Sequence, residues 1–455
     1  MIKVLPLVAL VWSSPAVAGW ASFQTANWAP LDGSPGAPAG VSPQLPNILN
    51  GLAVRPPWKV AGVDYGVGIP AGTSLLDPAT TANWSGACAG GSLASNTITV
   101  SGSGTCTLNA LDFSLHNGMN INIADAFSGT LIVTNSNFLI GSNQLYPITS
   151  SLASPAVVTV SNNNFDSGGS SPHIGGVGVS GGANITITYN YFARWDNDVI
   201  RLSNAGGNSN YVVRYNVMQS GNWGATGSPC ANGLFEHPDQ IHSVNGAASI
   251  VWQFNTSYQP AGDLFQGLPG STNSFLRASD VTNHPYQGTE IGYNTWTGVG
   301  TSGHQLCNNV ANGNTHTSTL IDNIDTTSST GIANGVTLSG ARVYGSGVPA
   351  STLATTPIVT GATGSFTLTP SATTTTLTAT PIGVWNNSGA IGQIIQYGGL
   401  ASPGLQMFSI VMHDNYFNLA GGANFGAYLP TAAIGSILSE NRTHNIDMST
   451  GSIIP

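Results

Sequence analysis

The stretch Asn184-Ile-Thr-Ile-Thr-Tyr-Asn-Tyr-Phe192 decides the fold. Ile185, Ile187 and, past a break, Phe192 alternate with polar residues, the pattern of a strand with one face turned inward, and Asn190 stands where the alternation is interrupted. The same arrangement recurs along the chain as an Asn with a bulky apolar residue two positions later. Asn163, Asn190, Asn216, Asn255, Asn294, Asn323, Asn415 and Asn441 form this column, and Ser136 begins it one unit earlier. The successive spacings are 27, 27, 26, 39, 39, 29, 92 and 26 residues, so one unit length dominates and the longer ones carry insertions. Three residues before each member stand Val133, Val160, Ile187, Val213, Trp252, Ile291, Leu320, Met412 and Leu438, all apolar in a chain that is 41% hydrophobic. A unit this short cannot bury its inner face alone, so neighbouring units must stack into a solenoid. Stacked Asn side chains can hydrogen-bond along the axis, and Asn tolerates the left-handed backbone of a tight turn, so the column reads as structural.

Across about Leu111 to Asp447, units such as residues 184–192 and the segment Asp198-Val-Ile-Arg201 resemble the pectate-lyase-like superfamily of right-handed parallel β-helices. The resemblance implies an all-β, single-stranded, right-handed parallel β-helix. It implies little about activity, because that superfamily spans polysaccharide lyases, glycoside hydrolases, epimerases, tailspikes and adhesins. Residues 19–110, rich in Pro and Gly, are expected to form an amino-terminal cap over a strand edge. The β-helix is expected over 111–455, interrupted by a Thr-rich β insertion at about 331–385.

Residues 1–18 read as a secretory signal peptide, with Lys3, an apolar run from Val4 to Trp12, and the small-residue site Ala16-Val17-Ala18. That run is shorter than the roughly 20 residues of a membrane span, and no later segment approaches one. Only 6% of the residues are charged, while Gly numbers 58. Without Lys3 the chain has 8 basic side chains against 18 acidic ones, a net −10 with no basic run, which argues against a nucleic-acid partner. Four cysteines in an exported chain suggest two disulfides, Cys88 with Cys106 and Cys230 with Cys307. A secreted, extracellular or cell-surface protein follows, the periplasm being the other compartment that fits.

The resemblance also implies a substrate groove along the sheet that follows the Asn turn and its strands. Four segments align there: Asp198-Val-Ile-Arg201, Asp239-Gln-Ile-His242, Ser274-Phe-Leu-Arg277 and His304-Gln-Leu-Cys307. With Ile200, Ile241, Leu276 and Leu306 inward, alternation turns Arg201, His242 and Arg277 outward into one row. Arg side chains can clamp a sugar carboxylate or sulfate, and His242 can act as general base or acid. Asp198 and Asp239 at the strand entrances suit either a Ca2+ site or an acid–base pair. Glu236 and His237 add titratable groups, and the loops bring Trp223, Phe265 and Tyr286 as faces for a sugar ring. The polygalacturonase motifs are missing, and beyond the signal Lys59 is the only Lys, so a lyase here needs Arg or His as base. The residues therefore point to a carbohydrate-active β-helix acting on an acidic polysaccharide by lyase, hydrolase or epimerase chemistry. A glycan-binding adhesin or tailspike-like surface protein without catalysis is the alternative.

Overall fold

The computed structural model describes residues 36–125, 127–140, 146–150, 156–166, 176–180, 184–195, 198–203, 209–219, 239–244, 249–259, 264–265, 268–269, 274–279, 288–298, 305–309, 320–325, 337–338, 342–344, 353–354, 358–359, 363–369, 381–385, 395–398, 410–418, 427–428 and 440–454. Side chains are not described in several of these strands, Ser274–Ser279 and everything from 305 to 410 among them. The signal segment and Cys230 lie outside the described residues, and Cys307 is described by its backbone alone.

Three parallel sheets run side by side for the length of the molecule. One has 10 strands and the other two have 9 each. Each turn of the chain contributes one strand to each sheet, as with Asn184–Thr188, Tyr191–Ala193 and Ile200–Ser203. The result is a right-handed parallel β-helix. The apolar column stacks rung on rung: Val133 pairs with Val160, Val160 with Ile187, Ile187 with Val213, Val213 with Trp252, Trp252 with Ile291, and Ile291 with Met412. All seven are buried. Phe113, Phe138, Phe165 and Phe192 stack beside them inside the coil at 4.6, 4.7 and 4.8 Å, the separation expected of neighbouring strands.

The Asn column is a hydrogen-bonded ladder. The Asn163 backbone N–H donates to Asn190 Oδ1 at 3.0 Å, and Asn190 Nδ2 donates back to the Val160 carbonyl at 2.9 Å. The pattern repeats through Asn216, Asn255, Asn294, Asn415 and Asn445. These amides are buried, so each must find partners, and the ladder supplies them. One expectation needs correction here. The left-handed residue is not the ladder Asn but the one before it, as at Tyr189, Tyr215, Phe254 and Tyr293, with φ between 57° and 59°. The Asn is selected for its buried amide, and the strained aromatic residues are compensated by stacking on one another at 4.9, 5.1 and 4.9 Å.

The column also ends differently. Met412 pairs with Arg442, so the last ladder residue is Asn445, four positions after Asn441, and Leu438 is not its apolar member. Asn323 and Leu320 leave the stack: Leu320–Asp325 pairs antiparallel with Thr363–Thr369. His304-Gln-Leu-Cys307 likewise does not supply a fourth rung, since Gln305–Asn309 pairs antiparallel with Pro381–Trp385. The fourth rung is Ile395–Gly398, with Gln396 opposite Arg277. Local patterning is the same in both kinds of strand, and only the long-range partner tells them apart.

At the amino end the parallel stack already includes Thr97–Val100 and Thr105–Asn109. The end itself is covered by 81–94, where Trp84 and Cys88 are buried and Gly91–Ala94 returns antiparallel on Thr97–Val100. Cys88 and Cys106 are disulfide-bonded, as expected. Residues 36–76 lie along the flank of the stack rather than over its end, the Gly68 N–H donating to the Tyr189 carbonyl and Leu76 bridging to Leu111.

Candidate functional site

The strands Ile200–Ser203, Asp239–Val244 and Ser274–Ser279 are neighbours in the 10-stranded sheet. Their register sets Arg201 beside His242 and His242 beside Arg277. Ile200 and Ile241 are buried in the core, and Arg201 between buried Ile200 and Leu202 is exposed, so Arg201 faces outward.

His242 shares that row but is only 5% exposed. Its Nδ1 lies 2.7 Å from Oδ2 of Asp198, itself 1% exposed, at the entrance to the Arg201 strand one coil earlier. The open outward imidazole expected from alternation is therefore a covered one, held by a carboxylate across the coil. Asp198 and His242 are brought together; Arg201 stands next to them. Asp239 and Arg277 are described by backbone alone, and Asp239 falls opposite Ser274. Trp223, Glu236, His237 and Tyr286 lie outside the described residues, as does the side chain of Phe265.

The sequence reading missed Tyr146. Gly178 precedes Arg201 in the same outward row, and a Cβ there would lie 2.4 Å from Tyr146 Cδ2. The Tyr146 ring thus lies over the Gly178 backbone, one rung from Arg201. A Gly between Val177 and Val179, in an otherwise regular strand, was the available signal of such a close approach.

A second polar cluster sits on the outward face of the 9-stranded sheet that contains Asn184–Thr188. His413 Nδ1 is 2.8 Å from Asp414 Oδ2, and its Nε2 is 3.1 Å from Glu290 Oε1. Gln253 also donates to Glu290. Burial would push the His413 pKa down, but the two carboxylates overcome it and raise it to about 9. Burial alone would raise Glu290, yet the hydrogen bond and charge of His413, with Gln253 and Arg214, hold it below its ordinary value. Such an imidazolium is a clasp between coils, not a base at neutral pH. The 123 residues between Glu290 and His413 hid it from sequence reading.

Among the described residues, no group of three or more His, Cys, Asp or Glu gathers to hold a metal, and no helix is long and apolar enough to cross a membrane. Comparison with protein-family models, curated proteins and solved structures finds no match to this chain. The right-handed parallel β-helix stands on the structure, and these comparisons do not tie the chain to the pectate-lyase-like superfamily; the architecture is one that carbohydrate-active enzymes and non-catalytic adhesins share.

Proposed function

From this architecture, we propose that the protein acts on an acidic polysaccharide laid along the outward row of the 10-stranded sheet, cleaving it by elimination. The observation that carries this reading is the buried 2.7 Å contact between Asp198 and His242 beside the exposed Arg201. A carboxylate on Nδ1 fixes the imidazole tautomer and makes Nε2 the basic nitrogen. Arg201 then pairs with the carboxylate of a uronic acid, lowering the pKa of the adjacent C–H. His242 takes that proton, the electrons form a C=C bond, and the glycosidic C–O bond breaks, its oxygen taking a proton from water. Paired-carboxylate hydrolysis needs two carboxyl groups across the scissile bond. Asp198, the one carboxylate whose side chain is described in this row, is committed to His242.

The low exposure of His242 favours a second reading, in which the Asp198–His242 pair is structural and the row only binds glycan. A panel of acidic polysaccharides, followed by unsaturated-product absorbance and by new reducing ends, separates the two. Elimination gives both signals, hydrolysis only the second, and a binder neither while still retaining glycan.

A further inference from the structure

Residues 36–76 form a strap along the flank of the stack, of which 54–76 run against the direction of the coils. The Val54 N–H donates to the Met448 carbonyl in the last coil at 3.2 Å. Trp58 stands edge-on to Phe254, Tyr293 and Tyr416 at 6.0, 5.5 and 5.1 Å. Gly62 approaches so closely that a Cβ there would lie 2.7 Å from Val217 Cγ2. The Gly68 N–H reaches the Tyr189 carbonyl at 2.8 Å, and Leu76 bridges to Leu111 in the first coil. A salt bridge of 2.5 Å between Arg55 and Asp64 closes the loop that carries Trp58, and Asp64 also accepts from the Val60 N–H at 2.7 Å.

The stack has one weak seam among its described coils. Asn294 and Asn415 are adjacent rungs but 121 residues apart, because strands between 305 and 385 leave for antiparallel sheets. Elsewhere consecutive ladder residues are separated by 26 to 39 positions. Closing a longer loop costs more entropy, so contacts across this seam have more to offset. Besides the ladder, the strand pairs and the contact of Trp296 with Phe417, two further contacts cross it. Trp58 touches Phe254 and Tyr293 on one side and Tyr416 on the other, and His413 reaches back from the far side to Glu290.

We propose that the strap is a latch on this seam: docked, it holds the carboxyl-terminal coils of residues 410–454 against those of 288–298, and released, it lets that unit open while the preceding coils stay closed. The latch is carried chiefly by Trp58, whose ring contacts both sides. Its hold is coupled to the last coil through Val54 and Met448, with Leu49, Val60, Val63 and Met448 packed together beneath it. Sub-global opening of this kind follows the places where few contacts secure a long connection.

Hydrogen exchange on the full chain, resolved by peptide, tests it with Trp58→Ala. The expected result is exchange at least tenfold faster in peptides covering 289–298, 410–417 and 440–447, with 157–166 and 184–193 unchanged. Trp58→Phe, a gentler change, should give a smaller rise in the same peptides. Equal protection at the seam in both variants would overturn the proposal. So would acceleration spread evenly over all coils, which would show that Trp58 supports the stack as a whole. Should Trp58→Ala fail to fold, the Phe variant decides by the same two criteria.

Discussion

The imidazole of His242 lies 2.7 Å from the carboxylate of Asp198, one coil apart, with both side chains buried and Arg201 exposed on the strand that follows Asp198, directly beside His242. A buried hydrogen bond to a charged group contributes roughly 2 kcal/mol, and leaving one partner alone costs its desolvation as well. Asp198→Asn is therefore expected to lower thermal stability clearly, whereas Arg201→Ala should leave it within about 0.5 kcal/mol. Thermal melts of the two variants check the ordering.

On an acidic glycan the same two variants separate in kinetics. Asp198→Asn should reduce kcat by about 100-fold, as expected when a general base loses its orienting partner. Arg201→Ala should act mainly through KM, because it removes a carboxylate clamp. Equal activity of both with the parent protein would place the chemistry outside this row.

Asn190→Ala leaves the Asn163 N–H and the Val160 carbonyl without their bonds inside the core. At about 1–3 kcal/mol per buried unsatisfied group, the loss should be about 2–6 kcal/mol in urea unfolding. Replacement of Asn210, exposed and bonded to Asn184 at 2.9 Å and Ser249 at 2.8 Å, should cost far less.

Gly178→Ala drives a methyl group into the Tyr146 ring and should destabilise by about 1–3 kcal/mol. Tyr146→Ala in the same chain should recover part of the clash, giving a coupling energy in a double-mutant cycle. Additive losses would mean that the ring does not lie on this backbone in solution.

The His413 clasp has a defined pH window. Its pKa rises from 6.5 to about 9 on folding, so its contribution is complete below about 6.5 and fades as pH climbs through 9. Glu290 is held below its model-compound value of 4.5, so its contribution is present above that pH and fades in acid. Asp414, Arg214, Tyr293 and the nearby His444 share the field, and the Tyr293 hydroxyl, pushed up to about 12 by burial and by Asp414 and Glu290, stays neutral throughout. The melting temperature should fall between pH 7 and 10, and Glu290→Gln should flatten that fall.

What sequence reveals of this protein follows the range over which each signal acts. The ladder and apolar column were legible because each unit repeats within 26 to 39 residues, and the Arg201, His242 and Arg277 register followed from them. Asn323 misled because an Asn after an apolar strand reads alike in a coil and in an antiparallel sheet, and Asn441 because it lies within the last parallel strand, four positions before the ladder residue Asn445. The strap was unreadable: Trp58 and Val217 meet their partners through packing that leaves no period. Burial of His242 was likewise hidden, since alternation predicts which way a side chain leaves the sheet but not what lies over it.

The ladder has a polarity with a consequence for molecular length. Each buried Asn N–H waits for the side chain of the following coil, so the structure grows like a crystal face, always one acceptor short at its advancing edge until Ile453–Ile454 turns back on Asn445–Asp447. Nothing in such a face counts coils. The strap does: fixed to Leu111 at one end and Met448 at the other, it is a ruler cut for one stack height. A whole coil deleted or duplicated between Asn163 and Asn255 would leave every rung of the ladder satisfied, yet the ruler would no longer meet both of its marks.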